Sequence, residues 1–276
     1  ENLEATSDNV FRGEDLDILK RRDKVEIALR KAIDDKSFKV YYQPIWSVKD
    51  ERIHTAEALV RLIDDELGFI PPDEFIELAE NLGLISQLGC IVFEEVCRFL
   101  SQEGKALNLE YVEINLSLYQ LLDSNIDKVF SSIMKKYGIN ASQINLELTE
   151  TVSPDLSKLV EENVDKLKSI GIKFSLDDFG TGYSNLNYLV SMNFTNMKID
   201  KSLLWDAVKT ESSMVIIKDC SKMMRKLGMN VIQEGVEDKE QLDLAIEAGA
   251  TYIQGYYFSK PLPGDEFITY IESVNK

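Results

Sequence analysis

Hydrophobic and polar positions along the chain follow two alternating patterns. Over Leu16–Ile33 the apolar residues recur at helical spacing, whereas segments such as Tyr111–Leu116 alternate apolar and polar residues as strands do. The second pattern predicts eight strands, at Phe38–Pro44, Arg52–Leu62, Tyr111–Leu116, Gln143–Leu148, Ile172–Asp177, Asn196–Ile199, Asn230–Glu234 and Thr251–Phe258. The first predicts helices at Leu16–Ile33, Pro72–Asn81, Ile85–Ser101, Leu118–Tyr137, Leu156–Ile170, Leu203–Leu227, Lys239–Ala248 and Asp265–Val274.

This order of elements predicts an α/β fold. Eight strands separated mostly by helices favour a closed, TIM-like (β/α)8 barrel over an open doubly wound sheet. Only the short segment Trp46–Glu51 joins the first two strands, and a parallel crossover needs about a dozen residues or more. We therefore expect a hairpin there and a modified barrel whose first strand runs antiparallel.

The chain has 276 residues, which is near the usual size of one such barrel. Residues 1–14 are polar and unpatterned, so we expect them to be a linker from a removed upstream region, and residues 15–276 to form one domain. The chain starts with Glu1 rather than Met, which suggests a piece of a longer protein.

Composition narrows the possible chemistry. The only histidine is His54 and the three cysteines form no CxxC pair, so a zinc site of the usual kind is nearly excluded and any metal would have oxygen ligands. The net charge of -17 argues against binding to duplex nucleic acid, and an anionic substrate would need bound cations.

Neither a long apolar run nor a signal segment is found in the sequence. We therefore expect no membrane contact by this segment and a cytoplasmic location, either as a separate protein or as the cytoplasmic part of a larger, membrane-anchored one.

Three strands in turn show one apolar and one polar face. Side chains alternate along a strand, so each polar set should face the barrel interior while the apolar set faces the helices. Unpaired polar groups in that interior are costly, so something must neutralise them. The polar sets are Glu113, Asn115 and Ser117; Asn145, Glu147 and Thr149; and Lys173, Ser175 and Asp177.

The polar residue nearest the end of each strand is where barrel enzymes place their chemistry. Several carboxylates, an amide and one lysine meeting there are typical of a hard-metal site, and we expect two ions. Asp178 follows Asp177 directly, so one carboxylate could bridge the ions while its neighbour holds the second. The converging residues of strands two to eight are Glu57, Asn115, Glu147, Asp177, Lys198, Glu234 and Gln254.

Eight short motifs of the sequence together resemble the EAL domain family. The resemblance extends over about Val25 to Tyr270, with the motifs in family-like order and spacing. The motifs are YYQPI at Tyr41–Ile45, EALVR at Glu57–Arg61, NLS at Asn115–Ser117, ELTE at Glu147–Glu150, DDFGTGYSNL at Asp177–Leu186, KID at Lys198–Asp200, EGVE at Glu234–Glu237 and QGYYFSKPLP at Gln254–Pro263.

The resemblance implies a cyclic di-GMP phosphodiesterase that uses two Mg²⁺ or Mn²⁺ ions to hydrolyse its substrate to linear 5′-pGpG. It implies that Lys198, Glu234 and Glu57 act in catalysis, that Gln43, Arg61 and Gln254 bind the substrate, and that Glu150 stabilises the loop after Asp178. It also implies a homodimer and an upstream sensory or GGDEF-type domain. The implied metal ligands are Glu57, Asn115, Glu147, Asp177, Asp178 and Glu234.

Other interpretations remain open from the sequence alone. Some family members lose metal ligands and persist as silent cyclic di-GMP receptors or interaction domains; here every ligand position is filled. An enolase-like barrel would share the metal ligands and the lysine but not Arg61. Lys198 could simply neutralise Asp177, and Glu237 could either cap the following helix or support a metal ligand.

Overall fold

The computed structural model describes residues 13–149, 157–181 and 192–276. Its helices are α1 (Gly13–Asp34), α2 (Pro72–Asn81), α3 (Ile85–Phe99), α4 (Ile126–Tyr137), α5 (Ser157–Ser169), α6 (Lys201–Ala207), α7 (Glu211–Lys226), α8 (Lys239–Glu247) and α9 (Gly264–Val274). Its strands are β1 (Lys39–Ser47), β2 (Arg52–Asp64), β3 (Gly68–Ile70), β4 (Tyr111–Asn115), β5 (Ile144–Thr149), β6 (Lys173–Phe179), β7 (Asn196–Ile199), β8 (Asn230–Gln233), β9 (Tyr252–Gln254) and β10 (Leu262–Pro263).

Eight of these strands close a barrel in the order β1, β9, β8, β7, β6, β5, β4, β2, and a β1–β2 pairing completes the ring. The first strand is antiparallel to both of its barrel neighbours, β2 and β9, while the remaining barrel strands pair in parallel. The predicted (β/α)8 barrel with an antiparallel first strand is therefore confirmed.

The alternation read from the sequence also holds. On β4 and β5 the apolar residues Val112, Ile114, Leu146 and Leu148 belong to the core formed with the surrounding helices. Aromatic stacking between α3 and α4 is part of that core, with the ring centroids of Phe93 and Phe130 3.8 Å apart. The opposite, polar face of the strands fills the barrel interior.

Several predicted boundaries were wrong for local reasons. The helix expected over Leu203–Leu227 is two helices, because Thr210 begins α7 by accepting a hydrogen bond from the Ser213 amide. The helix expected over Leu118–Tyr137 begins instead with a 3₁₀ turn at Gln120–Leu122, and α4 starts only at Ile126.

Strand boundaries differ as well. The last predicted strand ends at Gln254, after which the chain turns back so that the Tyr257 amide donates to the Val236 carbonyl. Two short strands, β3 and β10, were not predicted, and they pair with β2 and β1 outside the closed ring.

At the start of the chain, α1 begins at Gly13, so the described residues of the expected 1–14 linker are helical; residues 1–12 lie outside the described ranges. Across the described ranges, no helix has both the length and the apolar character needed to cross a bilayer.

Candidate active site

A lysine surrounded by carboxylates forms the centre of the barrel mouth. The Lys198 ammonium lies 2.7 Å from Glu147 Oε1, 2.9 Å from Glu234 Oε1, 3.2 Å from Glu57 Oε2 and 3.5 Å from Asp177 Oδ1. Lys198 is only 1% exposed. Asp177 is the most distant of the four partners. Lys198 therefore does not simply neutralise Asp177, which was one of the alternatives open from the sequence.

Side-chain amides fix the orientation of Glu57. Asn115 Nδ2 donates to Glu57 Oε1 at 2.8 Å, and Gln254 Nε2 donates to Glu57 Oε2 at 2.6 Å. Gln254 Nε2 also lies 3.1 Å from Gln43 Oε1, and Gln43 donates to the Ser259 carbonyl at 3.2 Å. Both predicted glutamines therefore belong to the network that holds Glu57.

An irregularity in β6 explains how two adjacent aspartates reach one site. Leu176 pairs with Met197 and Phe179 pairs with Ile199, so Asp177 and Asp178 together oppose the single residue Lys198. Such a β-bulge re-aims side chains that regular alternation would send to opposite faces. Asp178 also adopts a left-handed backbone conformation, with φ of 57°.

The residues at the mouth fit a site for divalent cations. One carboxylate oxygen from each of Asp177, Asp178 and Glu234 can be chosen so that all three lie within 4.8 Å of one another. Buried Glu147 Oε2 accepts no hydrogen bond from any described residue. A surplus of carboxylates over one ammonium, with an unpartnered oxygen, is the donor set that Mg²⁺ or Mn²⁺ would balance.

Burial and mutual repulsion shift the ionisation of these groups. Burial raises the pKa of Glu147 well above its usual value, and the charge of Glu57 adds to that rise. Burial also raises the pKa of Asp177 and brings that of Glu234 to about 8. Without a cation, Glu234 therefore holds its proton to a higher pH than an ordinary glutamate does.

Two members of the cluster are held in the charged form. Burial opposes ionisation of Glu57, but Lys198 and the amides of Gln254 and Asn115 outweigh it and lower the Glu57 pKa. Burial likewise opposes the charge on Lys198, yet Asp177 and the other carboxylates raise the lysine pKa well above its usual value. Lys198 is thus an ammonium, able to donate hydrogen bonds but not to accept a proton.

Two cavities meet at Glu57, which lines both. The larger, about 520 Å³, reaches from Asn115 and Glu147 past Arg61 to the residues of α2 and α3. The smaller, about 320 Å³, includes Asp178 and Glu234 among its walls.

Arg61 is half-buried and lines the larger cavity. Its Nη1 donates to the Val60 carbonyl at 2.9 Å, and its guanidinium carbon lies 5.6 Å from the centre of the Tyr41 ring. Among the described residues no carboxylate lies within ion-pair distance of Arg61. Its remaining donors are therefore free to meet an anion in the cavity.

The structure brings together most of the residues predicted for the site. Glu57, Asn115, Glu147, Asp177, Lys198, Glu234, Gln43 and Gln254 form one contact network, and Asp178 joins the three-carboxylate group. Arg61 lies beside the network without contacting it through a hydrogen bond. Glu150 lies outside the described residues, so its expected role in the loop stays a prediction.

Two details of the prediction change. Asp238, not Glu237, caps α8, because its side chain accepts from the Gln241 amide; Glu237 instead lines the smaller cavity. Glu80 of α2 lines the larger cavity and was not predicted. Its place in the last turn of a helix, where an acid opposes the helix dipole, was the available signal.

The barrel and its mouth define a class of protein, a (β/α)8 barrel with a carboxylate cluster that could hold a metal ion at the end where such barrels place their active sites. The sequence model of the EAL domain family matches residues 26–261. The chain belongs to the EAL domain family.

Curated relatives agree with this assignment. The chain is 32% identical over 259 residues to the oxygen sensor protein DosP of Escherichia coli (strain K12), covering 94% of this chain and 32% of the relative. It is 34% identical over 243 residues to the cyclic di-GMP phosphodiesterase PdeL of the same strain, covering 88% of this chain and 67% of the relative. The chain spans about a third of the length of the first curated relatives it matches.

Solved structures show the same fold. The EAL enzyme Bd1971, in a form with cAMP and cyclic di-GMP bound, superposes with a TM-score of 0.84 at 27% identity, covering 94% of this chain and 70% of that one. A cyclic di-GMP complex of the PaMucR phosphodiesterase gives a TM-score of 0.81 at 27% identity, covering 88% and 99% of the two chains.

Proposed function

We propose that this chain is a metal-dependent phosphodiesterase that hydrolyses cyclic di-GMP to linear 5′-pGpG. The observation that carries the proposal is the set of carboxylates around Lys198 at the barrel mouth, together with membership of a family that includes cyclic di-GMP phosphodiesterases. In the reaction, water adds across one phosphodiester linkage, the bond from phosphorus to the ribose 3′ oxygen breaks, and a 5′-phosphate and a 3′-hydroxyl remain.

The metal ligands would come from five strands, β2, β4, β5, β6 and β8, or the residue that follows them. When bound, two Mg²⁺ or Mn²⁺ ions would supply an activated water and neutralise charge on the phosphoryl oxygens. Asn115 donates to Glu57 through its side-chain nitrogen Nδ2, so the side-chain oxygen of Asn115 is left for a metal. The proposed ligands are Glu57, Asn115, Glu147, Asp177, Asp178 and Glu234.

Lys198 and Arg61 would act on the substrate from different directions. Because its neighbours keep Lys198 charged, its ammonium would orient the attacking water and stabilise negative charge as it develops on the phosphate. Glu57 and Glu234 contact that ammonium and set its position. Arg61 presents unpaired guanidinium donors in the adjoining cavity, where they would bind a phosphate oxygen.

The two cavities suit a substrate with two bases. Glu57 lines both, so a phosphodiester placed at the metal ligands would extend one nucleoside into each cavity. An acidic chain with a net charge of -17 would attract such a dianion only through the ions and the few cations at the mouth.

The relatives suggest how this domain is used. Because the chain corresponds to about a third of relatives such as DosP, we propose that it works in a larger cytoplasmic signalling protein with an upstream sensory or GGDEF-type domain. We further propose that it acts as a homodimer, which sedimentation of the purified chain would test.

The activity itself is tested by incubating the purified chain with cyclic di-GMP and either Mg²⁺ or Mn²⁺ and following pGpG by chromatography. We expect metal-dependent formation of pGpG, and none after chelation. A chain that binds cyclic di-GMP with both ions present but never forms pGpG would instead be a silent receptor. A chain that neither binds nor cleaves it would refute the proposal.

A further inference from the structure

Glu80 occupies an unusual place in the larger cavity. The cavity walls contributed by α2 and α3 are largely apolar and include Ile76, Ile85 and Leu88, and Glu80 is the one acid that these helices contribute to the lining. Among the described residues, no lysine or arginine pairs with it. Glu80 is partly exposed to the cavity, so its unused acceptor capacity is available to a ligand there.

Helix α2 by itself gives no reason for this acid. Glu80 lies in the last turn of α2, where the helix dipole disfavours negative charge. The helix would therefore be more stable with a neutral or basic residue at this position. The presence of an acid at position 80 is therefore better explained by a contact that its carboxylate makes than by the stability of α2.

A short hydrogen-bond chain holds the carboxylate in place. Ser117 Oγ donates to Glu80 Oε1 at 2.5 Å, and the Ser117 amide donates to Gln120 Oε1 at 3.1 Å. Gln120 is buried, so the chain is anchored in the protein interior. No described residue donates to Glu80 Oε2, and Oε1 retains capacity for a second donor.

We propose that Glu80 reads the Watson–Crick edge of one guanine of the substrate. That edge presents two adjacent donors, N1–H and the exocyclic N2–H, and a carboxylate offers two adjacent acceptors that match them. Adenine presents an acceptor at N1, which would face a carboxylate oxygen unfavourably. This inference rests on the proposed function, since it places a nucleoside of cyclic di-GMP in the larger cavity.

A substrate that lacks a single donor tests this contact. Cyclic di-IMP has hypoxanthine in place of guanine, so it keeps N1–H but loses the 2-amino group. Hydrogen bonds to charged groups are among the strong ones, and we expect the wild type to prefer cyclic di-GMP over cyclic di-IMP by about 10–100-fold in kcat/KM.

The Glu80→Gln variant should abolish that preference. Glutamine keeps an oxygen that can accept from Ser117, so the variant removes the charge and one acceptor without breaking the local structure. We expect its two kcat/KM values to become nearly equal, mainly through loss of activity on cyclic di-GMP. The control is Glu77→Gln, an exposed acid on the same helix, which should keep the wild-type ratio.

The outcomes separate this inference from the proposed function. If the wild type cleaves cyclic di-GMP and Glu80→Gln keeps the full preference, the guanine contact is overturned while the activity stands. If the wild type binds without cleaving, the same comparison is made with dissociation constants. If the wild type neither binds nor cleaves either dinucleotide, both proposals fall.

Discussion

Two layers of polar side chains fill the barrel interior, and strands β4 to β7 contribute to both. In the lower layer are Glu113, Asn145, Ser175 and Asn196, each two positions before a mouth residue on the same strand. Glu113 Oε1 accepts hydrogen bonds from Ser175 Oγ at 2.7 Å, Asn196 Nδ2 at 2.9 Å and Asn145 Nδ2 at 3.4 Å. Its other oxygen has no such partner among the described residues.

The mouth layer balances charge in a different way. There four carboxylates share one ammonium, that of Lys198, and among the described residues Glu57 is the one of the four that accepts from side-chain amides. The lower layer has one carboxylate and meets it with neutral donors. A single buried acid with an unpartnered oxygen, such as Glu113, is therefore no sign of a metal site in this barrel; the convergence of several carboxylates on one point is.

The largest expected difference between the layers is in catalysis. Glu57→Gln at the mouth removes a metal-ligand charge and should lower pGpG formation by about 10²–10³-fold or more. Glu113→Gln in the lower layer keeps an acceptor for its neutral donors, so turnover should stay within the same order of magnitude. The two variants are compared by their steady-state rates of pGpG formation at saturating Mn²⁺. Equal losses of activity would show that the layers are not functionally distinct.

The single cation of the mouth gives the next largest effect. Lys198→Met should slow hydrolysis by about 10²–10³-fold, and it should destabilise the metal-free protein by about 3–5 kcal/mol because buried carboxylates lose their partner. Added Mn²⁺ should recover part of the stability but not the rate. Lys173→Met, at an exposed position on β6, is the control. A fully active Lys198→Met variant would contradict the proposed role.

Much of this arrangement could be predicted from the sequence, because strand alternation is a local property. Alternation along each strand predicted that side chains such as those of Glu147 and Lys198 face the barrel interior. Their distance from the end of the strand predicted that they lie near the barrel mouth. The short Trp46–Glu51 connection alone was enough to predict the antiparallel first strand.

Other features depend on contacts that alternation does not encode. Regular alternation would send Asp177 and Asp178 to opposite faces, and only the bulge against β7 brings both to the mouth. The place of Glu80 at a helix end marks the acid as unusual, but the helix pattern does not encode the cavity that it lines. The break between α6 and α7 depends on one capping threonine within a continuous helical pattern.

The pH dependence of stability should also differ between mouth variants. Burial raises the folded-state pKa of Glu234 to about 8, above its ordinary value near 4.5, so its contribution to stability is complete below that ordinary value and is lost as pH rises through about 8. The melting temperature of the metal-free protein should therefore fall between pH 5 and pH 8, roughly the interval between those two values.

Two measurements check this expectation. Divalent ions should reverse the loss at high pH, and their binding at pH 7 should release protons detectable by calorimetry in buffers of different ionisation enthalpy. In Glu234→Gln the decline of the melting temperature with pH should be shallower than in the wild type. A wild-type melting temperature that rises steadily over this range would contradict the expected protonation.

The smallest expected effect concerns the turn at Gly180, which follows β6 two residues after Asp178. Gly180 has φ of 104°, and a Cβ there would lie 2.3 Å from Leu203 Cδ1, whereas Gly228 has φ of 84° with open space around it. Alanine is strained at both, by more than about 1 kcal/mol, but only Gly180→Ala must also displace a neighbour. Because that displacement lies two residues from Asp178, Gly180→Ala should weaken Mn²⁺ binding, and Gly228→Ala should lower the melting temperature alone. Calorimetric titration of both variants decides: equal metal affinities would mean that the turn does not position the second aspartate.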